Sequence, residues 1–184
     1  MATSSNEIRI GSEAPSFQLK GVDNRLHSLG DYRDSKILIV GFTCNHCPYV
    51  KAYEDRLNAL ATKYRSQSVS IVCINSNDPI KYPDDTFENM VLRAEQKEFV
   101  FDYLQDETQQ VARAFNAACT PEFYVYDEFR KLQYHGRLDD NTNEPEKVKA
   151  RYLELAIASV LAGKSPEIAT TPALGCGIKW RASS

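Results

Sequence analysis

Lys36-Ile37-Leu38-Ile39-Val40-Gly41-Phe42 runs through Thr43 into Cys44-Asn45-His46-Cys47-Pro48, and the reading of the whole chain turns on this stretch. The apolar, β-branched run predicts a buried central strand. It delivers two thiols, separated by two residues, to a point where Val50, Tyr53, Leu57, Leu60, Ala61 and Tyr64 then recur at helical spacing. Pro48 fits the first turn of that helix, where its missing N–H costs little. Thiols at a helix start lie beside unpaired backbone N–H groups and the positive end of the helix dipole, which stabilise a thiolate. His46, between them, lowers the pKa of the first thiol further whenever it is protonated.

A zinc finger or ribbon would need a second pair of ligands at comparable spacing, whereas Cys73, Cys119 and Cys176 are each single and His27 and His135 stand alone. Five cysteines, an odd number in a 184-residue chain, do not make a disulfide framework and point to catalytic or free thiols. The net charge of -3 supplies no basic field for phosphates, so nucleic acid is excluded as a partner. No membrane span is expected, and Met1-Ala2-Thr3-Ser4-Ser5-Asn6-Glu7 lacks a basic and an apolar segment, so the expected location is cytoplasmic. A glycine-rich phosphate loop and a haem-attachment motif are both missing, so no cofactor and no metal are expected.

The rest of the sequence predicts one domain over residues 1–184. Ser16 to Leu19 and Arg25 to Leu29, joined by Gly21-Val22-Asp23-Asn24, read as an N-terminal β-hairpin. Val69 to Ile74 reads as a second buried strand, followed by a polar loop from Asn75 to Asp84. Asp85 with Glu88 is expected to cap a helix whose apolar face carries Phe87, Met90, Val91 and Ala94. Phe99 to Phe101 reads as a short strand, and Asp106 with Gln109 as the cap of a helix bearing Val111 and Phe115. Phe123 to Tyr126 and Lys131 to His135 form an expected hairpin. A last helix is expected from Pro145 to Gly163 with Val148, Tyr152, Leu155 and Val160 inward, and then an irregular tail over residues 164–184.

A strand, a cysteine pair at a helix start, further βα units and a hairpin closed by a helix resemble the thioredoxin fold. That resemblance implies an α/β protein, a three-layer α/β/α sandwich on a mixed central sheet, here with the β-hairpin as an N-terminal extension. Thr120-Pro121 before the second hairpin is similar to the cis-proline that packs against the cysteines in that fold. Gly11-Ser12-Glu13-Ala14-Pro15-Ser16-Phe17-Gln18-Leu19 resembles the opening of the redoxin, or alkyl hydroperoxide reductase (AhpC/TSA), branch. Phe42 to Val50, with the ending Gly175-Cys176-Gly177-Ile178-Lys179-Trp180, is similar to peroxiredoxin-like thioredoxin-domain proteins.

The resemblance implies a thiol–disulfide oxidoreductase with an antioxidant role, in which Cys44 attacks and Cys47 resolves the mixed disulfide. Thr120 and Pro121 flank the pair, with His46 between the thiols. Thr43, Cys119, Glu122 and Cys176 are further candidates: Cys119 and Cys176 as extra redox thiols, Glu122 as a proton carrier for Cys47. Cys73, in mid-strand, reads as an inert buried thiol. The implied partners are disulfide, sulfenic acid or peroxide substrates and a protein reductant or glutathione. A thiol peroxidase is the alternative, but the pattern that positions a peroxide has a threonine or serine and a proline where this chain has Cys44 and Val40. A copper carrier is a second alternative, for which His135 is the remote ligand candidate. A histidine before the second cysteine is similar to DsbA and implies a potential between the roughly -270 mV of thioredoxin and the roughly -120 mV of DsbA.

Overall fold

The computed structural model describes residues 2–3 and 8–182; Met1 and residues 4–7 of the segment read for targeting lie outside the described residues, as do 183–184. In chain order the strands are β1 (Ala2–Thr3), β2 (Gln18–Gly21), β3 (Leu26–Ser28), β4 (Ile37–Phe42), β5 (Val69–Asn75), β6 (Asp102–Gln105), β7 (Cys119–Thr120), β8 (Glu122–Tyr126), β9 (Leu132–Gly136) and β10 (Gly175–Gly177). The helices are α1 (Pro48–Tyr64), α2 (Phe87–Gln96), α3 (Gln110–Ala114) and α4 (Tyr152–Leu161).

Every residue of β4 is buried, because helices cover both faces of the strand and leave no polar side for an alternating pattern. It pairs in parallel with β5, from Ile37 opposite Val69 to Phe42 opposite Ile74, and antiparallel with β8. The full sheet runs β3-β2-β6-β5-β4-β8-β9, with β5 and β6 also parallel. This is the mixed sheet of a thioredoxin-like fold, and the expected hairpin β2–β3 extends it by pairing β2 with β6.

Two cores sandwich the sheet. On one face Tyr53, Leu57 and Leu60 of α1, Met90 of α2 and Leu153, Ala156 and Ile157 of α4 pack on Ile37, Ile39, Ile71 and Val125. On the other, Val111 and Ala112 of α3 with Phe115 and the segment carrying Phe17 and Tyr32 pack on Leu38, Val40, Val72 and Tyr124. Phe42, Phe115 and Tyr124 meet edge to face, with ring centroids 5.4 to 5.9 Å apart. On the first face Gly41 makes room for Phe123: a Cβ there would stand 2.9 Å from its ring.

Several expected boundaries move. The strand expected at Phe99–Phe101 lies at Asp102–Gln105, where it can pair with both β5 and β2; Phe99 and Phe101 stack on each other beside it, 4.6 Å between centroids. The cap of α2 is Thr86, whose hydroxyl accepts the Asn89 N–H, so Asp85 is free for another task. Pro145 opens only a short 3-10 turn, and α4 starts at Tyr152. That later start sets its phase: Leu153, Ala156 and Ile157 face the core, while Leu155 is 56 % exposed. The tail is not wholly irregular, since β10 pairs antiparallel with β7 and with β1.

Leu153 is fully buried between α4 and the sheet. Leu153→Ala is expected to lower unfolding stability by about 2–5 kcal/mol, read as a lower urea midpoint with an unchanged slope.

Candidate redox site

The site forms where the parallel strands end. Thr43 N–H still bonds to the Ile74 carbonyl at 2.9 Å, after which the chain leaves the sheet. The loop then delivers Cys47 to the N-cap position of α1, with Pro48 at its first turn. Cys44 and Cys47 are both buried, at 1 % and 0 % exposure. The predicted helix N-terminus beside the thiols is therefore present.

Thr120, at the end of β7, touches both sulfurs. Its hydroxyl lies 3.2 Å from Cys44 Sγ, and its carbonyl oxygen accepts from Cys47 Sγ at 3.2 Å. The Thr120-Pro121 peptide is cis, as the resemblance implied. Cys44 and Pro121 share a groove with Thr43, Val50, Tyr53 and Phe123.

The two thiols share a proton. The hydrogen bond that Cys44 gives to Cys47, its burial and the nearby Asp85 carboxylate hold the Cys44 thiol well above its ordinary value. The same bond, received, lowers Cys47 to about 4, helped by the Cys176 thiol and the first-turn amide of Val50. A buried pair this close titrates as a unit. In the second arrangement the proton sits on Cys47, whose S–H donates to the Thr120 carbonyl, and the Thr120 hydroxyl donates to a Cys44 thiolate.

Under the loop lies an anion that the sequence reading missed. Asp85 is 1 % exposed, and its Oδ1 accepts from Asn45 N at 2.7 Å and Asn75 Nδ2 at 3.1 Å. Its Oδ2 accepts from Asn77 Nδ2 at 2.9 Å and meets His46 Nδ1 at 2.5 Å. The contact places a proton on Nδ1 and orients the ring, which stacks on Tyr82 with centroids 5.3 Å apart. Asn45 is also fixed, by the Asp84 carbonyl and the Tyr103 hydroxyl. One signal for Asn75 and Asn77 was available: polar residues directly after a buried parallel strand stand at the strand's carboxyl end, where open α/β sheets build their sites.

The other candidates separate. Cys176 is brought in, its sulfur 2.9 Å from Cys47 Sγ. The Thr43 hydroxyl serves the Cys73 sulfur, and burial pushes the Cys73 thiol up, as an inert core cysteine requires. Cys119 is fully buried with its thiol also pushed up by burial. Glu122 is not at the surface: Oε2 accepts from Ala118 N and Cys119 N, and Oε1 lies 2.7 Å from His135 Nε2. It braces the β7 backbone rather than facing the sulfurs. His135, the remote candidate for a copper ligand, is 3 % exposed and engaged by that carboxylate, which takes it away from that role. Among the described residues, Cys44, His46 and Asp85 offer ligand atoms within 4.8 Å of one another. With four hydrogen bonds already on Asp85, that carboxylate fits an orienter of His46 better than a metal ligand.

The Thr120 hydroxyl lowers the Cys44 pKa. Thr120→Val removes that donor and keeps the shape and the carbonyl. The alkylation rate of Cys44 should then rise with pH over a range displaced upward, at a stability cost of about 0.5–1.5 kcal/mol for the lost hydrogen bond.

The model of the AhpC/TSA family matches residues 10–135. Among curated proteins, the thiol-disulfide oxidoreductase ResA of Geobacillus thermodenitrificans is 28% identical over 133 residues, covering 71% of this chain and 71% of the relative. Among solved structures, an uncharacterized conserved protein from Geobacillus kaustophilus has a TM-score of 0.95 at 41% identity, covering 100% of this chain and 98% of its own. A hypothetical protein from Sinorhizobium meliloti 1021 has a TM-score of 0.94 at 38% identity, covering 98% of this chain and 100% of its own. With well over half of its residues matched by the family model and a cysteine pair at the helix start, the chain belongs to the AhpC/TSA family.

Proposed function

We propose that the protein is a thiol–disulfide oxidoreductase whose Cys44 and Cys47 cycle between dithiol and disulfide, with Cys44 attacking and Cys47 resolving. The carrying observation is that one residue, Thr120, contacts both sulfurs beside a groove that Cys44 lines. ResA, similar in sequence over most of its length, supports the reaction class.

The step follows from the shared proton. A substrate disulfide meets Cys44 beside Pro121, and the Cys44 proton passes to Cys47, whose S–H then donates to the Thr120 carbonyl. The Cys44 thiolate attacks one substrate sulfur, a mixed disulfide forms, and the first substrate thiolate leaves. That thiolate takes a proton from solvent. Cys47 then attacks Cys44 Sγ, and its proton goes to the departing second substrate sulfur. The second substrate thiol departs and the Cys44–Cys47 disulfide remains, two electrons having passed to the substrate.

Disulfides are the substrate class this chemistry serves directly, with sulfenic acids and peroxides as further acceptors and a protein thiol or glutathione as donor. The peroxidase pattern is not met, because Val40, fully buried in mid-strand, and Cys44 occupy its proline and hydroxyl positions. In a cytoplasmic poise at or below about -220 mV the pair rests as the dithiol.

A redox titration in glutathione buffers, with acid trapping, alkylation and peptide mapping, tests this reading. The expected result is a reversible Cys44–Cys47 disulfide with a midpoint between roughly -270 and roughly -120 mV. A pair that never closes, or one more reducing than thioredoxin, would overturn it.

A further inference from the structure

Cys176 is the one thiol of the cluster with appreciable exposure; Cys44 and Cys47 are covered. Its place is built rather than incidental. In β10 it lies opposite Thr120 of β7, the residue that contacts both redox sulfurs. Gly175 lets the strand close in, since a Cβ there would stand 2.1 Å from the Thr120 carbonyl oxygen. Beyond β10 the strap is tied down: Ile178 N–H to the Ala118 carbonyl, Lys179 N–H to Asn77 Oδ1, and Gln109 Nε2 to the Lys179 carbonyl. Asn77 also binds Asp85, so the strap and the anion beneath the redox loop share a residue. The result is a sulfur 2.9 Å from Cys47 Sγ, the atom it would have to attack.

We infer that Cys176 is a third redox thiol, through which a thiol electron donor reduces the oxidised protein. The inference rests on the Cys44–Cys47 disulfide of the proposed function. Cys176 sulfur attacks Cys47 Sγ, the Cys44–Cys47 bond breaks, and the Cys176 proton goes to the departing Cys44 sulfur. The product is a Cys47–Cys176 disulfide at the surface. A donor thiolate attacks Cys176 Sγ and releases Cys47. A second donor thiolate attacks the donor sulfur of that mixed disulfide and frees Cys176, so two donor thiols become one disulfide and the protein regains its three thiols. Substrates then use the Cys44 groove and donors use the Cys176 face.

At rest burial and its hydrogen bond to Cys47 push the Cys176 thiol up to about 11, and oxidation of Cys47 removes the second of these causes. The exchange itself needs the Cys44–Cys47 bond, so it occurs in the oxidised protein.

Two variants test the relay. Cys44→Ser, exposed to glutathione disulfide and mapped without reduction, should accumulate an internal Cys47–Cys176 disulfide. Cys176→Ser should still close Cys44–Cys47, but glutathione should reduce that disulfide at least about tenfold more slowly than in the unaltered protein. The inference is overturned if Cys44→Ser gives only Cys47 joined to glutathione with Cys176 still alkylatable, or if Cys176→Ser is reduced at the normal rate while Cys44–Cys47 closes normally; either leaves the proposed function standing. If Cys44–Cys47 never closes in the unaltered protein, both fall together.

Discussion

Thr120 is the constraint on which the redox end depends. One residue supplies a hydroxyl to Cys44 and a carbonyl to Cys47, so the position of β7 fixes the environment of both sulfurs at once. Everything that holds β7 in place therefore acts on the chemistry. Glu122 anchors its amides from below, β10 pairs along its edge, and the missing Cβ of Gly175 lets that pairing close. A carboxylate buried at 0 % exposure is costly unless paired and hydrogen-bonded, and Glu122 is both.

The opposite side of the loop is held by a second buried carboxylate. Asp85 accepts from a backbone amide, two asparagines and an imidazole, and these four donors come from three parts of the site: Asn45 and His46 of the redox loop, Asn75 at the end of β5 and Asn77 after it. Its negative charge works against ionising Cys44, while the Thr120 hydroxyl works toward it. The site thus divides a proton between Cys44 and Cys47 instead of fixing a thiolate on the attacking sulfur.

Much of this was legible in the sequence because it is local. The run Lys36 to Phe42 became β4, the spacing from Val50 to Tyr64 became the buried face of α1, and Pro48 marked its start. Thr120-Pro121 was found through its resemblance and takes the place expected. What stayed hidden is non-local. Asp85 and Glu88 match a capping box in sequence, but Thr86 can cap α2 equally well, and only folding shows that Asn45, Asn75 and Asn77 surround the aspartate. Glu122 read as a proton carrier for Cys47, because its tie to His135 exists only once β8 and β9 pair. The tail has no periodicity to read, and Gly175-Cys176-Gly177 becomes a strand because β7 offers it an edge.

The most direct test of the account is which sulfur carries the resting charge. Thiolate ultraviolet absorbance, followed from acid to neutral pH in the unaltered protein and in Cys47→Ser and Cys44→Ser, reads it. The account predicts a thiolate that appears in the unaltered protein with a midpoint of about 4, vanishes in Cys47→Ser, and shifts upward in Cys44→Ser as the chief donor to Cys47 is weakened. An acid-range thiolate that persists in Cys47→Ser and is lost in Cys44→Ser would contradict it.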